Sequence, residues 1–305
     1  MAKPGRGEVL VRMTVRPINP SDLIPIKGAY SHRIALPGIP GYEGVGIVEE
    51  VGTFVSRELI GKRVLPLRGE GTWQEYVIAS AEWIVPIPDC IDDYIAAQLY
   101  INPVTAWLSC TDVLMLKPDD VLLVNACGSS IGRIFAQLSK LIGFRLIAVT
   151  RNDIYTRDLL QLGASYVINT TDMPLLKTVM ELTNGQGATA AIDSVGGIWG
   201  TDLAFCVRPN GMILTIGLLS GTPVNWAEIT HRAKLIVKMF HLRLWNEQVS
   251  AQTWQQTFND LMSMLGDKKL KLMMPAAQFD LLRVHEAVRL AETIGSNKGK
   301  IFLTS

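Results

Sequence analysis

The sequence predicts an α/β protein in which a doubly wound parallel sheet follows a separate β-rich region. Three observations carry that expectation. Val121-Leu122-Leu123-Val124 is a short, continuous apolar run, as a strand buried on both faces requires. Ile131, Phe135, Leu138 and Ile142 recur at spacings of four, three and four, one face of a helix that stops at Gly143. Further apolar runs follow at residues 146–149, 166–168, 190–192 and 212–216, and strand, helix and strand in repeated order imply a parallel sheet with helices on both faces.

The region before it reads differently. Residues 8–15, 44–51, 63–67 and 73–78 are β-branched or alternating and are expected to be strands, with a turn at Gly69-Glu70-Gly71. Prolines at 17, 20, 25, 37 and 40 are expected to exclude long regular elements from the loops. Residues 92–108 carry a helical pattern broken at Asn102-Pro103. Helices are expected again at 155–162, 254–265 and 282–292, and a last strand at 300–303. The expected division is a β-rich domain over 1–97, a wound-sheet domain over 98–245, and a return to the first domain over 246–305.

Composition excludes several function classes. Of 305 residues, 29 are Lys or Arg and 28 are Asp or Glu. With no basic stripe, nucleic acid and anionic membrane are poor partners. No apolar run approaches the length of a membrane span. Cys90, Cys110, Cys127 and Cys206 form no C-x-x-C pair, and no two of the four histidines have helical ligand spacing. Neither a zinc site nor a disulfide framework is expected; buried, reduced thiols are. With no apolar leader at the N-terminus, the expected location is cytoplasmic, organelle import being left open.

Chemistry concentrates where the first wound-sheet strand meets its helix. Asn125, Gly128, Ser129, Ser130, Ile131 and Gly132 occupy that turn. Small residues there admit a pyrophosphate, and a helix N-terminus offers free N–H groups. The G-x-G-x-x-G spacing is missing, so position in the fold carries the cofactor expectation. Cofactor choice belongs to the end of the second strand, Thr150-Arg151-Asn152. Arg151 offers donors to a 2′-phosphate, favouring NADPH, while Asp153 keeps NAD possible. Backbone around Val195, Gly196 and Gly217, at later strand ends, is expected to flank the cofactor.

A series of landmarks resembles the medium-chain dehydrogenase/reductase superfamily over nearly the whole chain. They are Gly7-Glu8-Val9-Leu10-Val11, Ile18-Asn19-Pro20-Ser21-Asp22, Pro40-Gly41-Tyr42-Glu43-Gly44-Val45-Gly46, Gly71-Thr72-Trp73, Asn102-Pro103-Val104-Thr105-Ala106, the phosphate turn, and Asp193-Ser194-Val195-Gly196-Gly197. The resemblance implies a Rossmann sheet beside a β-rich GroES-like domain. It places the first landmark almost at Met1, so either the chain is truncated or the first sheet is built differently, and strands lacking there would expose an apolar edge. Zinc enzymes of the superfamily carry Cys within the Pro20-Ser21-Asp22 segment and His where this chain has Tyr42, which points to the zinc-free branch with no metal.

Within that branch the chain resembles both 2-enoyl thioester reductases and quinone oxidoreductases. Asn125-Ala126-Cys127-Gly128-Ser129, Asn-Pro-x-Thr-Ala and the segment from Phe240 to Trp245 favour the former. The implied activity is metal-free reduction of an activated C=C bond, in an enoyl thioester or enone, by NADPH. The alternatives are quinone reduction and a non-catalytic nucleotide-binding relative. Tyr30 matches the family's proton-donating tyrosine; Asn19 and Thr105 match positions at the nicotinamide end. Phe240 and Trp245 are expected to wall the substrate channel, and Lys300 resembles a lysine near the adenosine phosphate. A homodimer is expected, joined by sheet edges near residues 212–219 and the following strand.

Overall fold

A computed structural model describes residues 3–28, 37–68, 71–293 and 299–305. The chain divides into two compact units. The first comprises Met1–Val104, Trp245–Gly266 and Leu272–Ser305; the second comprises Thr105–Leu244 and Asp267–Lys271. The first crossing therefore falls seven residues later than the expected boundary at 97, and five late residues pack with the nucleotide-type unit. Among the described residues, no helix is long and apolar enough to cross a membrane.

In chain order the strands are β1 (Glu8–Pro17), β2 (Val45–Val51), β3 (Arg63–Leu65), β4 (Tyr76–Ser80), β5 (Val85–Pro86), β6 (Val121–Val124), β7 (Arg145–Thr150), β8 (Tyr166–Asn169), β9 (Ala188–Asp193), β10 (Val207–Thr215), β11 (Ile236–Met239), β12 (Pro275–Asp280) and β13 (Lys300–Thr304). The first unit holds a mixed seven-stranded sheet in the order β12-β13-β1-β2-β3-β5, with β4 on β1. β1 is its centre, paired antiparallel with β2, β4 and β13. Its edges are thus covered, and Val9, Leu10, Val11 and Met13 are buried, so the expected exposed apolar edge is not at this strand. β12 escaped the sequence reading because Pro275-Ala276-Ala277-Gln278 has little β propensity; parallel pairing with β13 supplies what propensity does not.

Local chemistry explains two other departures. Pro20–Ile26 is a seven-residue helix despite two prolines. Pro20 sits at the helix start, where an absent N–H costs nothing, and Pro25 lies inside the helix one residue before it ends at Ile26, so it has no longer ladder to break. Pro103 likewise lies in the first turn of the helix Ile101–Leu108 and does not break it. The interruption falls instead between the helix Asp93–Ala96 and Ile101.

The second unit holds a six-stranded, all-parallel sheet in the order β11-β10-β9-β6-β7-β8. From β6 the chain steps outward through β7 and β8, then returns to the other side of β6 at β9. That reversal between β6 and β9 is the switch point at which a wound sheet opens a crevice. All four residues of β6 are buried, as a strand covered by helices on both faces must be. β10 has a neighbour on each side, so it cannot join two sheets edge to edge; β11 is the edge.

Candidate active site

The switch point is held by side chains. Asn125, just past β6, donates from Nδ2 to Asp193 Oδ1 at 2.6 Å and accepts from the Ser194 N–H at 2.8 Å. Asp193, fully buried at the end of β9, also accepts from the Val195 N–H at 2.9 Å and the Gly196 N–H at 3.0 Å. The Asn125 side chain and the N–H groups of Val195 and Gly196 thus tie the ends of β6 and β9 together.

The turn itself substitutes other residues for glycines. Ala126 takes a left-handed φ of 48°, where glycine would be unstrained. Gly132 keeps the role that needs no side chain: a Cβ there would stand 2.3 Å from the Cys127 carbonyl oxygen. Ser129 caps the helix Ser130–Ile142 by accepting from the Gly132 N–H at 3.3 Å. Among the described residues the N–H groups of Gly128 and Ile131 have no acceptor. The hydroxyls of Ser194 and Thr215, at the ends of β9 and β10, are buried with no partner among the described residues. Unspent donors and orphaned hydroxyls along the carboxyl ends of adjacent parallel strands fit a dinucleotide. Gly217 lets the chain pass close to Ser194, since a Cβ there would reach 3.0 Å from the Ser194 carbonyl oxygen.

At the end of β7 the two candidate determinants of cofactor choice separate. Asp153 is engaged by Thr156 and Asn169, at 3.1 and 3.0 Å. Thr150 and Asn152 are tied into the same loop. Arg151 is exposed, and no described residue accepts from its guanidinium. Thr105, on the helix Ile101–Leu108, is buried in this unit, and Phe240 follows β11.

The first unit holds a buried polar cluster that sequence reasoning found only in part. Asn19 donates from Nδ2 to Glu43 Oε1 at 2.7 Å; its Oδ1 accepts from Lys300 Nζ at 2.5 Å and from Asn102 Nδ2 at 3.1 Å. Glu43 Oε2 accepts from the N–H groups of Tyr100 and Ile101 at 3.1 and 2.8 Å, so its charge meets the start of the helix Ile101–Leu108. Asp22 accepts from the Asn19 N–H at 2.7 Å. Lys300, expected near the adenosine phosphate, is buried in this unit with its ammonium on Asn19. Glu43, Asp22 and Asn102 were not singled out from sequence, because nothing local distinguishes a buried carboxylate from an exposed one.

Two carboxylates face one ammonium here, so their charges are poorly matched. Burial, then repulsion from Glu43, pushes Asp22 up to about 7 against the pull of Lys300 and of the Asn19 and Tyr42 amides. Burial likewise raises Glu43 and lowers Lys300, each opposed by the other's charge. Zinc does not fit this site. Ser21 and Tyr42 are poor donors for that ion, Asp22 and Glu43 are held by amides, and among the described residues no three His, Cys, Asp or Glu side chains converge on one point.

Nearby in the same unit, Trp245 stacks on Trp254 at 5.5 Å, and Trp254 is fully buried against Tyr100, Phe258 and Trp83. Tyr30 lies outside the described residues. Of the cysteines, Cys110, Cys127 and Cys206 are buried thiols; Cys90 is exposed, against expectation.

Asp22 contributes stability that falls as pH rises. Folded Asp22 holds its proton more tightly than the unfolded chain does, so its stabilising contribution is full below the ordinary carboxylate range and is lost as pH climbs through 7. Asp22→Asn should therefore flatten the decline in Tm between about pH 5 and about pH 8. Thermal melts of parent and variant across that window test this; parallel profiles would show that Asp22 titrates normally.

Comparison with known proteins converges on one family. Residues 5–89 match the alcohol dehydrogenase GroES-like domain, and residues 130–265 match the zinc-binding dehydrogenase domain. A candidate NADPH:quinone reductase from Bacillus thuringiensis is 63% identical over 100% of this chain and 92% of its own, with a TM-score of 0.98. The mitochondrial enoyl-[acyl-carrier-protein] reductase of Rattus norvegicus is 33% identical over 264 residues, covering 85% of this chain and 70% of that protein. Escherichia coli quinone oxidoreductase complexed with NADPH shares the fold, with a TM-score of 0.92 at 24% identity over 100% of this chain and 94% of its own. With its wound sheet, its β-rich partner unit and these relatives, the chain belongs to the medium-chain dehydrogenase/reductase superfamily, among the NAD(P)-dependent oxidoreductases.

Proposed function

We propose that this chain is an NADPH-dependent quinone reductase. The observation that carries the reading is the 63% identity to the Bacillus thuringiensis candidate NADPH:quinone reductase along the entire chain. This reverses the order suggested by the sequence landmarks, which put an enoyl thioester first. Reduction of an enoyl thioester or related enone is the second reading, favoured by curated enoyl reductases such as the rat protein. Both acceptors present an electron-poor carbonyl-conjugated carbon, so one site chemistry serves either.

NADPH, when bound, supplies a hydride from its nicotinamide C4. The chain's own residues do the rest. The turn over residues 125–132 receives the pyrophosphate, and exposed Arg151 receives the 2′-phosphate through charge-assisted donors. Asn19 and Thr105 orient the nicotinamide end. Tyr30 donates a hydrogen bond or proton to the reduced acceptor, since a phenol with an ordinary pKa near ~10 stays protonated at neutral pH. Trp245 and Phe240 line the acceptor's path. A homodimer would join through β11, whose four residues are all exposed and whose outer edge has no strand partner among the described residues.

NADPH oxidation by purified protein should be faster with a small quinone than with a crotonyl thioester, and the reverse ranking would restore the enoyl reading. In the same assay Tyr30→Phe should lower turnover about a hundredfold while leaving NADPH affinity within about twofold. Arg151→Ala should weaken NADPH at least about tenfold and leave NADH unchanged, measured by nucleotide fluorescence titration. An unchanged preference would remove Arg151 from cofactor choice.

A further inference from the structure

The Asn19 side chain has almost no freedom left. A carboxylate can only accept and an ammonium can only donate, so Glu43 and Lys300 determine which end of the amide is which. Rotating the amide by half a turn would set N–H against ammonium and oxygen against carboxylate. Both lone pairs of Oδ1 are occupied, by Lys300 Nζ at 2.5 Å and Asn102 Nδ2 at 3.1 Å. One Nδ2 hydrogen is occupied by Glu43 Oε1 at 2.7 Å. Among the described residues, no acceptor takes the second Nδ2 hydrogen.

The partners are themselves held. Glu43 Oε2 is fixed by two backbone N–H groups, of Tyr100 and Ile101. Lys300 opens β13, which is bound between β1 and β12. The Asn19 backbone N–H is fixed by Asp22. Lys300 is 281 residues away from Asn19 in sequence, yet both are buried, at 6% and 1% exposure.

We propose that Lys300 and Glu43 are positioning residues that lock Asn19 as a one-hydrogen donor, so that it engages only an acceptor oxygen: the carbonyl of the substrate or the carboxamide of the nicotinamide. The inference rests on the reading that Asn19 meets the reacting end of the cofactor. Locking also polarises the group, because the ammonium on Oδ1 draws electron density from the amide. A donor aimed at a carbonyl oxygen strengthens as charge gathers there during reduction.

The test has one arm that needs no turnover. With 15N-asparagine labelling, the unliganded protein should show an Asn19 side-chain amide with widely split, slowly exchanging protons. Lys300→Met should collapse that splitting and speed exchange, and Lys300→Arg should largely preserve it. If Lys300→Met does not fold, Asn102→Ala, which removes the longer bond to the same oxygen, should shift the same resonance in smaller measure. An Asn19 resonance unmoved by either variant would overturn the proposal.

The second arm is a cycle with Asn19→Ala. Lys300→Met should lower kcat about tenfold in the parent and less than about twofold when Asn19 is already alanine. Equal losses in both backgrounds would mean that Lys300 acts elsewhere, and the proposal would fall. NADPH titration and quinone titration of Asn19→Ala assign the acceptor oxygen to cofactor or substrate by which affinity drops. A parent protein that reduces neither quinone nor enoyl thioester would refute the proposed function, while the spectroscopic arm would still decide the positioning.

Discussion

A carboxylate held away from water organises the first unit. Glu43 is 1% exposed, and a buried charge of this kind persists only when nearly every lone pair finds a donor. Its donors come from the Asn19 loop and the start of the helix at Ile101, and Asn19 in turn accepts from Lys300 at the opening of β13. Removing one partner from such a group typically costs about 3–5 kcal/mol, because the remaining charge stays buried. The energetic demand of one side chain therefore fixes the relative placement of three chain segments within this unit.

The second unit solves a related problem with a different device. A glycine-rich turn is the usual way to bring backbone close to a pyrophosphate, and this chain has few of those glycines. Asn125 and Asp193 instead lock the ends of β6 and β9 together, and Asp193 folds the following loop onto its own carboxylate. Ala126 accepts the left-handed bend at some strain, and Gly132 is retained where its Cβ would strike the Cys127 carbonyl. Rigidity that glycine geometry would not provide comes from buried hydrogen bonds. The crevice keeps unspent N–H groups and hydroxyls on its surface, and that is what a dinucleotide requires.

Much of the fold was legible before any coordinates. Periodicity marked β6, the helix behind it and the later parallel strands, since burial on both faces forces continuous apolar runs. Gly143 was rightly read as a stop, and its φ of 97° shows why. Motif order identified the superfamily, and the absence of zinc-type ligands at Ser21 and Tyr42 was plain from residue chemistry. Other elements were illegible for equally physical reasons. β12 has weak intrinsic propensity, and β11 carries exposed apolar residues on both faces, a pattern no amphipathic template predicts.

The candidate site divides the same way. Sequence alone determined which residue types were present, where the turn between β6 and its helix lies, and that Arg151 stands just past β7, because these depend on neighbours close in the chain. Only the tertiary structure decided that Asp153 is already engaged, that Val195 and Gly196 spend their amides on Asp193, and that Lys300 serves Asn19. Each of those outcomes is a competition for hydrogen-bond partners, across two or three residues at Asp193, 16 between Asp153 and Asn169, and 281 between Asn19 and Lys300. Such competition is settled by which groups are buried together, and burial is a property of the folded chain.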